Sequence, residues 1–176
     1  MGLRKGHCYT PLKRAYTRKS KVRTKNYIKA IPPSKIVKFV MGDSAGYFAK
    51  KFPFKVRLVS NEGIQLRDNA LESARQLLHR HLEDKFKGNY YFIVSAYPHH
   101  ILRENKMLTG AGADRMQTGM AKSFGKAMGI AAQVHPGSAI FTIACSKENV
   151  PAVRGMIFQI KTKLPGNKSI TVEEIK

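Results

Sequence analysis

From Ile36 onward apolar and polar residues alternate. They do so through Ile36 to Met41 and again through Phe54, Val56 and Leu58, with Lys55 and Arg57 between them, and a period of two predicts two strands with one buried face each. Asn61, Glu62 and Gly63 supply a turn before a third strand over Ile64 to Arg67. The period then lengthens. Leu71, Ala74, Leu78, Leu82 and Phe86 recur at helical spacing, while Glu72, Arg75, Gln76, His79, Arg80 and Glu83 fall on the opposite, solvent-facing side. His79 and His81 read as surface groups rather than catalytic ones. Asn69 and Glu72 have capping-box spacing at the helix start, Lys85 and Lys87 suit its negative end, and Gly88 suits a left-handed cap. Tyr90 to Tyr97 returns as a strand.

After a long irregular stretch, Ile130 to His135 and Ala139 to Cys145 predict a hairpin around Pro136, Gly137 and Ser138. A second helix follows with the stripe Val150, Val153, Ile157, Ile160 and Leu164. Pro151 is tolerated in its first turn, and Pro165 with Gly166 stops it. Ile170 and Val172 open a last strand. The order strand, strand, helix, strand thus occurs twice, which predicts an α+β two-layer sandwich: a largely antiparallel sheet with two packed helices. With 43% apolar residues in 176, the chain can bury one core, so we expect one domain over residues 35–176 and an appendage over 1–34.

Charge changes the picture before Ile36. The chain holds 32 Lys or Arg against 11 Asp or Glu, a formal charge of +21, and its first acid is Asp43. Such an imbalance calls for a polyanionic partner, because each cation that meets a phosphate releases condensed counterions. Arg4, Lys5, Lys13, Arg14, Arg18, Lys19, Lys21, Arg23 and Lys25 crowd a stretch with no helical or strand period, interleaved with Tyr9 and Tyr16 and interrupted by prolines. A solvated tail is the bland reading. The tyrosines favour an extended arm that orders on RNA, cations on phosphates and rings on bases or sugars. No run approaches the roughly 18 apolar residues of a transmembrane helix, and the N-terminus lacks an apolar signal core, so a soluble, cytoplasmic chain without a membrane partner is expected.

Enzyme chemistry finds little support. Cys8 and Cys145 show no CxxC spacing, and His7, His99 and His100 read as RNA-facing or packed groups, so no metal or cofactor is expected. The segment Glu104 to Gly129 is the most unusual, with five glycines, four methionines and the cations Lys106, Arg115, Lys122 and Lys126. Unstructured loops of this length are usually functional or disordered. Glycines admit close backbone approach, and methionines offer adaptable apolar contact. A phosphate loop fails here: Gly119 and Gly125 are one residue too far apart before Lys126, and Ala127 replaces the hydroxyl that would meet magnesium. Gly110 and Gly112 begin a dinucleotide fingerprint that Arg115 breaks. No HExxH occurs, no paired carboxylates share a helical spacing in the two predicted helices, and Cys145 sits in an apolar strand as a structural thiol.

The loop text KMLTGAGADRMQTGM from Lys106, HHILREN from His99, FGK at Phe124 and HCYTPLKRAY near the N-terminus resemble one family. It is the universal large-subunit ribosomal protein called ten in archaea and eukaryotes and sixteen in bacteria, here at the length of an archaeal member. The resemblance runs from the arm to Lys163 or beyond. It implies a structural, noncatalytic protein in the ribosome, packed on large-subunit rRNA beside neighbouring ribosomal proteins and the aminoacyl and peptidyl tRNA sites, with no small-molecule substrate. By the same resemblance the arm residues named above, with Lys122 and Lys126, contact rRNA. Arg103, Lys106, Met107, Gly110, Gly112, Asp114, Arg115 and Gln117 belong to a loop near tRNA. The sequence departs from the family's pattern at Ala121 and Gln133, commonly arginine, and at Ala127, commonly proline. Competing readings are an RNA-modifying enzyme with a basic guiding arm and a nonspecific nucleic-acid packaging protein.

Overall fold

The computed structural model describes residues 5–14, 22–26, 28–105 and 124–175, and in it the strands divide between two antiparallel sheets. The larger has the order β1 (Val40–Gly42), β4 (Tyr91–Val94), β7 (Ala139–Cys145), β2 (Phe54–Ser60), β8 (Lys168–Glu174). The smaller has the order β3 (Ile64–Arg67), β6 (Lys126–Val134), β5 (His100–Glu104). The helices are α1 (Ser44–Phe48), α2 (Asp68–Phe86) and α3 (Val150–Ile160). The predicted α+β class holds, with the two longer helices in contact, α3 against β2 and α2 against β3 and β6.

Both predicted helical stripes face inward. Leu71, Ala74, Leu78 and Leu82 of α2 are fully buried, and Val153, Ile157 and Ile160 of α3 join them. Alternation in β2 turns Val56 and Leu58 to the same core, where Phe92 and Phe141 meet edge to face at 5.7 Å. Burial pushes the Cys145 thiol up to about 11, which makes it an inert core group. β8 runs along the outer side of β2, from Phe54 opposite Glu174 to Ser60 opposite Lys168. Lys168 is itself buried, and its ammonium donates to the carbonyls of Leu164, Pro165 and Gly166 at 2.7, 2.9 and 2.7 Å, closing the chain behind α3.

Several expectations need correction. The turn at Pro136 to Ser138 does not close a hairpin: Val134 pairs with Ile64 in the smaller sheet, whereas Ala139 pairs with Val59 in the larger. Of the first alternating stretch only Val40 and Met41 are strand, within β1; ahead of the stretch the Lys35 N–H donates to the Asp68 carboxylate at 3.1 Å. The capping box is absent. Asp68 receives the Asn69 N–H at 2.9 Å, and Glu72 turns to Arg75 instead. Glu72 and Arg75 are therefore buried rather than solvent-facing, joined at 2.7 and 2.6 Å, with Arg75 also donating to the Met41 sulfur at 3.0 Å. Hydrogen bonding to Arg75 holds the Glu72 carboxyl below its usual range. The left-handed turn after α2 uses Lys87 as well as Gly88, at φ 45° and 84°. Helix α1 and strand β5 were not predicted, and β6 begins at Lys126 rather than Ile130.

Candidate nucleic-acid interface

Strand β3 sends Ile64 and Leu66 into the core, which leaves Gln65 and Arg67 for the other face. Gln65 and Gln133 are cross-strand partners. Together they hold the basic N-terminal segment. The Gln65 side-chain amide donates to the Tyr9 and Pro11 carbonyls at 3.1 and 3.0 Å, and its backbone N–H donates to Thr10 at 2.8 Å. Gln133 donates to the Lys13 carbonyl at 2.8 Å and to Gln65 Oε1 at 3.2 Å. Residues 9–13 thus cover the open edge of β3, with a bridge from Pro11 to Ile64 and Leu12 against Gly63. Gln65→Leu removes both side-chain donors and is expected to cost about 1–3 kcal/mol. It should also speed limited proteolysis between Tyr9 and Lys13. Parental cleavage kinetics would contradict the clamp.

The clamp leaves a groove of about 270 Å³ between this segment and β5, lined by Tyr9, Lys13, Arg14, His100, Arg103 and Asn105 among others. His100 is buried within it. A second, more apolar hollow of about 200 Å³ adjoins it across Tyr9, with Pro32, Pro33, Lys35, Leu102 and Met128 in its wall. The Arg67 guanidinium lies 5.6 Å over the Tyr9 ring, whose hydroxyl donates to Glu104 at 3.5 Å. Arg103 fixes the mouth by donating to the Phe124 carbonyl at 2.8 Å, while Glu104 pairs across strands with Lys126. The described residues that flank 106–123 are therefore gathered at one end of the smaller sheet.

Of the residues singled out from the sequence, the fold brings Tyr9, Lys13, Arg14 and Arg103 to one groove. Lys5 and Lys25 are exposed but do not line it, Lys126 is exposed at the start of β6, and Arg23 belongs to a short turn with Lys25. Arg4, Tyr16, Arg18, Lys19, Lys21, Lys106, Met107, Gly110, Gly112, Asp114, Arg115, Gln117 and Lys122 lie outside the described residues. Gln65 and Gln133 were missed as parts of the site, while His100, expected as an RNA-facing or packed group, is packed in the groove wall. Gln133 carried a signal only as a departure from the pattern that the resemblance implies; here its amide serves the arm's backbone. Guanidinium and ammonium groups beside an aromatic ring fit phosphates, sugars and base faces. Among the described residues no three His, Cys, Asp or Glu side chains gather as a metal site.

Comparison with known proteins agrees with the sequence pattern. The family model described as ribosomal protein L16p/L10e matches residues 11–171. The large ribosomal subunit protein uL16 of Methanococcus aeolicus is 42% identical over 174 residues, covering 98% of this chain and 95% of its own. The proteins of the same name from Hyperthermus butylicus and Staphylothermus marinus are 40% and 39% identical, over 96% and 100% of this chain and 92% and 97% of theirs. With a family match over most of its length and relatives of nearly its own extent, the chain belongs to the ribosomal protein L16p/L10e family.

Proposed function

We propose that this chain is a structural constituent of the large ribosomal subunit that binds rRNA through its arm and groove and leaves catalysis to RNA. It is supported most by one arrangement: Lys13, Arg14, Tyr9 and Arg103 share a groove, in a chain of net charge +21 whose relatives are named for that subunit. The residues of the segment 106–123 stand close to the aminoacyl and peptidyl tRNA ends in this reading. Neighbouring large-subunit proteins and the rRNA complete its surroundings. Among the described residues, no helix is long and apolar enough to cross a membrane.

The test is electrostatic. Replacing Lys5, Lys13, Arg14 and Arg103 together by Gln is expected to flatten the slope of log affinity against log salt by about 3, at roughly 0.7 to 0.9 for each phosphate no longer neutralised. All four lie at the surface or rim, so melting should stay near the parental curve. An unchanged slope in filter-binding titrations with large-subunit rRNA would remove the groove from the binding surface.

A further inference from the structure

The larger sheet has a second face, away from the two longer helices α2 and α3. Alternation puts Lys55 on it, and Phe52, Tyr91 and Ala144 form a small apolar cluster there, capped by Tyr47 of α1. Tyr47 stacks on Tyr91 with ring centres 4.1 Å apart and 11° between planes, and the Lys55 ammonium lies 5.5 Å from the Tyr47 ring centre. The next residue, Phe48, stands edge-on to Tyr47 at 5.8 Å and is 79% exposed. This exposure gives its ring almost no part in holding the fold. Lys50 and Lys51 follow after Ala49, and both are exposed.

Two further details separate this corner from a casual surface aromatic. Lys50 occupies the left-handed region at φ 59°, after α1, where glycine would be the relaxed residue. A lysine therefore stands, as Lys87 does after α2, at a position that disfavours a side chain. The acids nearby are engaged: Asp43 caps Gly46 N–H at 2.7 Å and reaches Lys51 at 3.6 Å, while Glu173, opposite Lys55 in the sheet, pairs with Arg57 at 2.9 Å. With Lys51 partly balanced by Asp43, the surplus positive charge beside Phe48 comes from Lys50 and Lys55. That charge complements a polyanion, and a solvent-exposed ring beside it offers a stacking platform for a base whose face is free.

We propose that the α1 corner is a second RNA-contacting surface, taking an unpaired base on Phe48 and the adjoining phosphates on Lys50, Lys51 and Lys55. It rests on the ribosomal reading above, but it lies on a different sheet from the arm groove and can fail separately.

The chain has no tryptophan, so Phe48→Trp creates a single local reporter at an exposed position. Titrating the full-length variant at low salt with single-stranded oligouridylate should quench its fluorescence. Duplex RNA of equal length and inorganic polyphosphate should leave it nearly unchanged. Adding Lys50→Gln, Lys51→Gln and Lys55→Gln should shift the quenching to roughly tenfold higher oligonucleotide concentration or more. Lys50→Gly should raise the melting temperature by about 1 to 3 °C while weakening the quench, a pairing that a purely structural lysine would not give. Three results would overturn the proposal: no quench while filter retention of the oligonucleotide persists, equal quenching by polyphosphate, or quenching by an acidic peptide in place of RNA. Loss of all RNA retention by the parent chain would instead overturn the ribosomal reading itself.

Discussion

Arg75→Met is expected to lower the unfolding free energy by about 3–5 kcal/mol, among the largest effects of any single substitution in this chain. The Glu72 and Arg75 side chains are only about a tenth exposed, and their two hydrogen bonds of 2.7 and 2.6 Å satisfy each other inside the protein. Removing the guanidinium leaves a carboxylate with only Gln76 and the backbone to solvate it. Glu72→Leu together with Arg75→Met removes both charges and should recover most of the loss. Acid dependence sharpens the test. Because the folded Glu72 carboxyl titrates below its unfolded value, the pair's contribution is present above about pH 4.3 and fades as pH falls through the lower folded value. In Arg75→Met the sign reverses: burial now raises that carboxyl, so the single variant regains stability relative to the parent in acid. Urea titrations followed by circular dichroism at neutral and acid pH would show both trends. A single variant within 1 kcal/mol of the parent would mean that the pair is not the buried unit described.

The second large effect concerns synthesis rather than folding. Replacing Leu108 to Gln117 by a short Gly-Ser linker is expected to leave incorporation into large subunits intact and to reduce peptide synthesis by those subunits on the order of tenfold or more. The replaced residues lie outside the described part of the chain, but the strands on either side are fastened independently, by Arg103 to Phe124 and by the pairing of Glu104 with Lys126. Loop closure depends weakly on length, so shortening should not open that end of the sheet. Errors of about an ångström in placing reacting groups can cost on the order of a hundredfold, which is why a segment proposed to lie beside the tRNA ends would act on rate. Arg115→Ala alone should be milder, at about 1.5–3 kcal/mol for one charge-assisted contact at most. Normal incorporation with a parental synthesis rate would make the loop a passive connection.

Local periodicity made much of the fold legible. The spacing of Leu71, Ala74, Leu78 and Leu82, and of Val153, Ile157 and Ile160, identified both helix faces, because a stripe at 3.6 residues has few other uses. Pairing was not legible in the same way. Pro136 to Ser138 announces a turn, yet whether Val134 meets Ala139 or Ile64 depends on residues about seventy positions away. Lys126 to Gly129 lacks strand-forming residues and is strand only because β5 lies beside it. Glu72 and Arg75 looked solvated because composition reports polarity and says nothing of a partner that neutralises it. In the candidate interface, the cations and Tyr9 were visible from charge and aromatic interleaving. What the two glutamines do was hidden, Gln133 showing only as a departure from a pattern, since their partners are backbone carbonyls, and these have no letter in a sequence.

The pairing of Phe54 with Glu174 sets a condition on how the protein is made. β2 leaves the ribosome that synthesises it long before β8, and so must wait for a neighbour more than a hundred residues downstream. Contacts of such sequence separation are formed late and slowly. The cationic N-terminal stretch emerges earlier still, able to meet any polyanion before the larger sheet is complete. Translation speed and early RNA encounter thus become competing clocks for this fold, and exposure during synthesis is greatest where the finished protein is most charged.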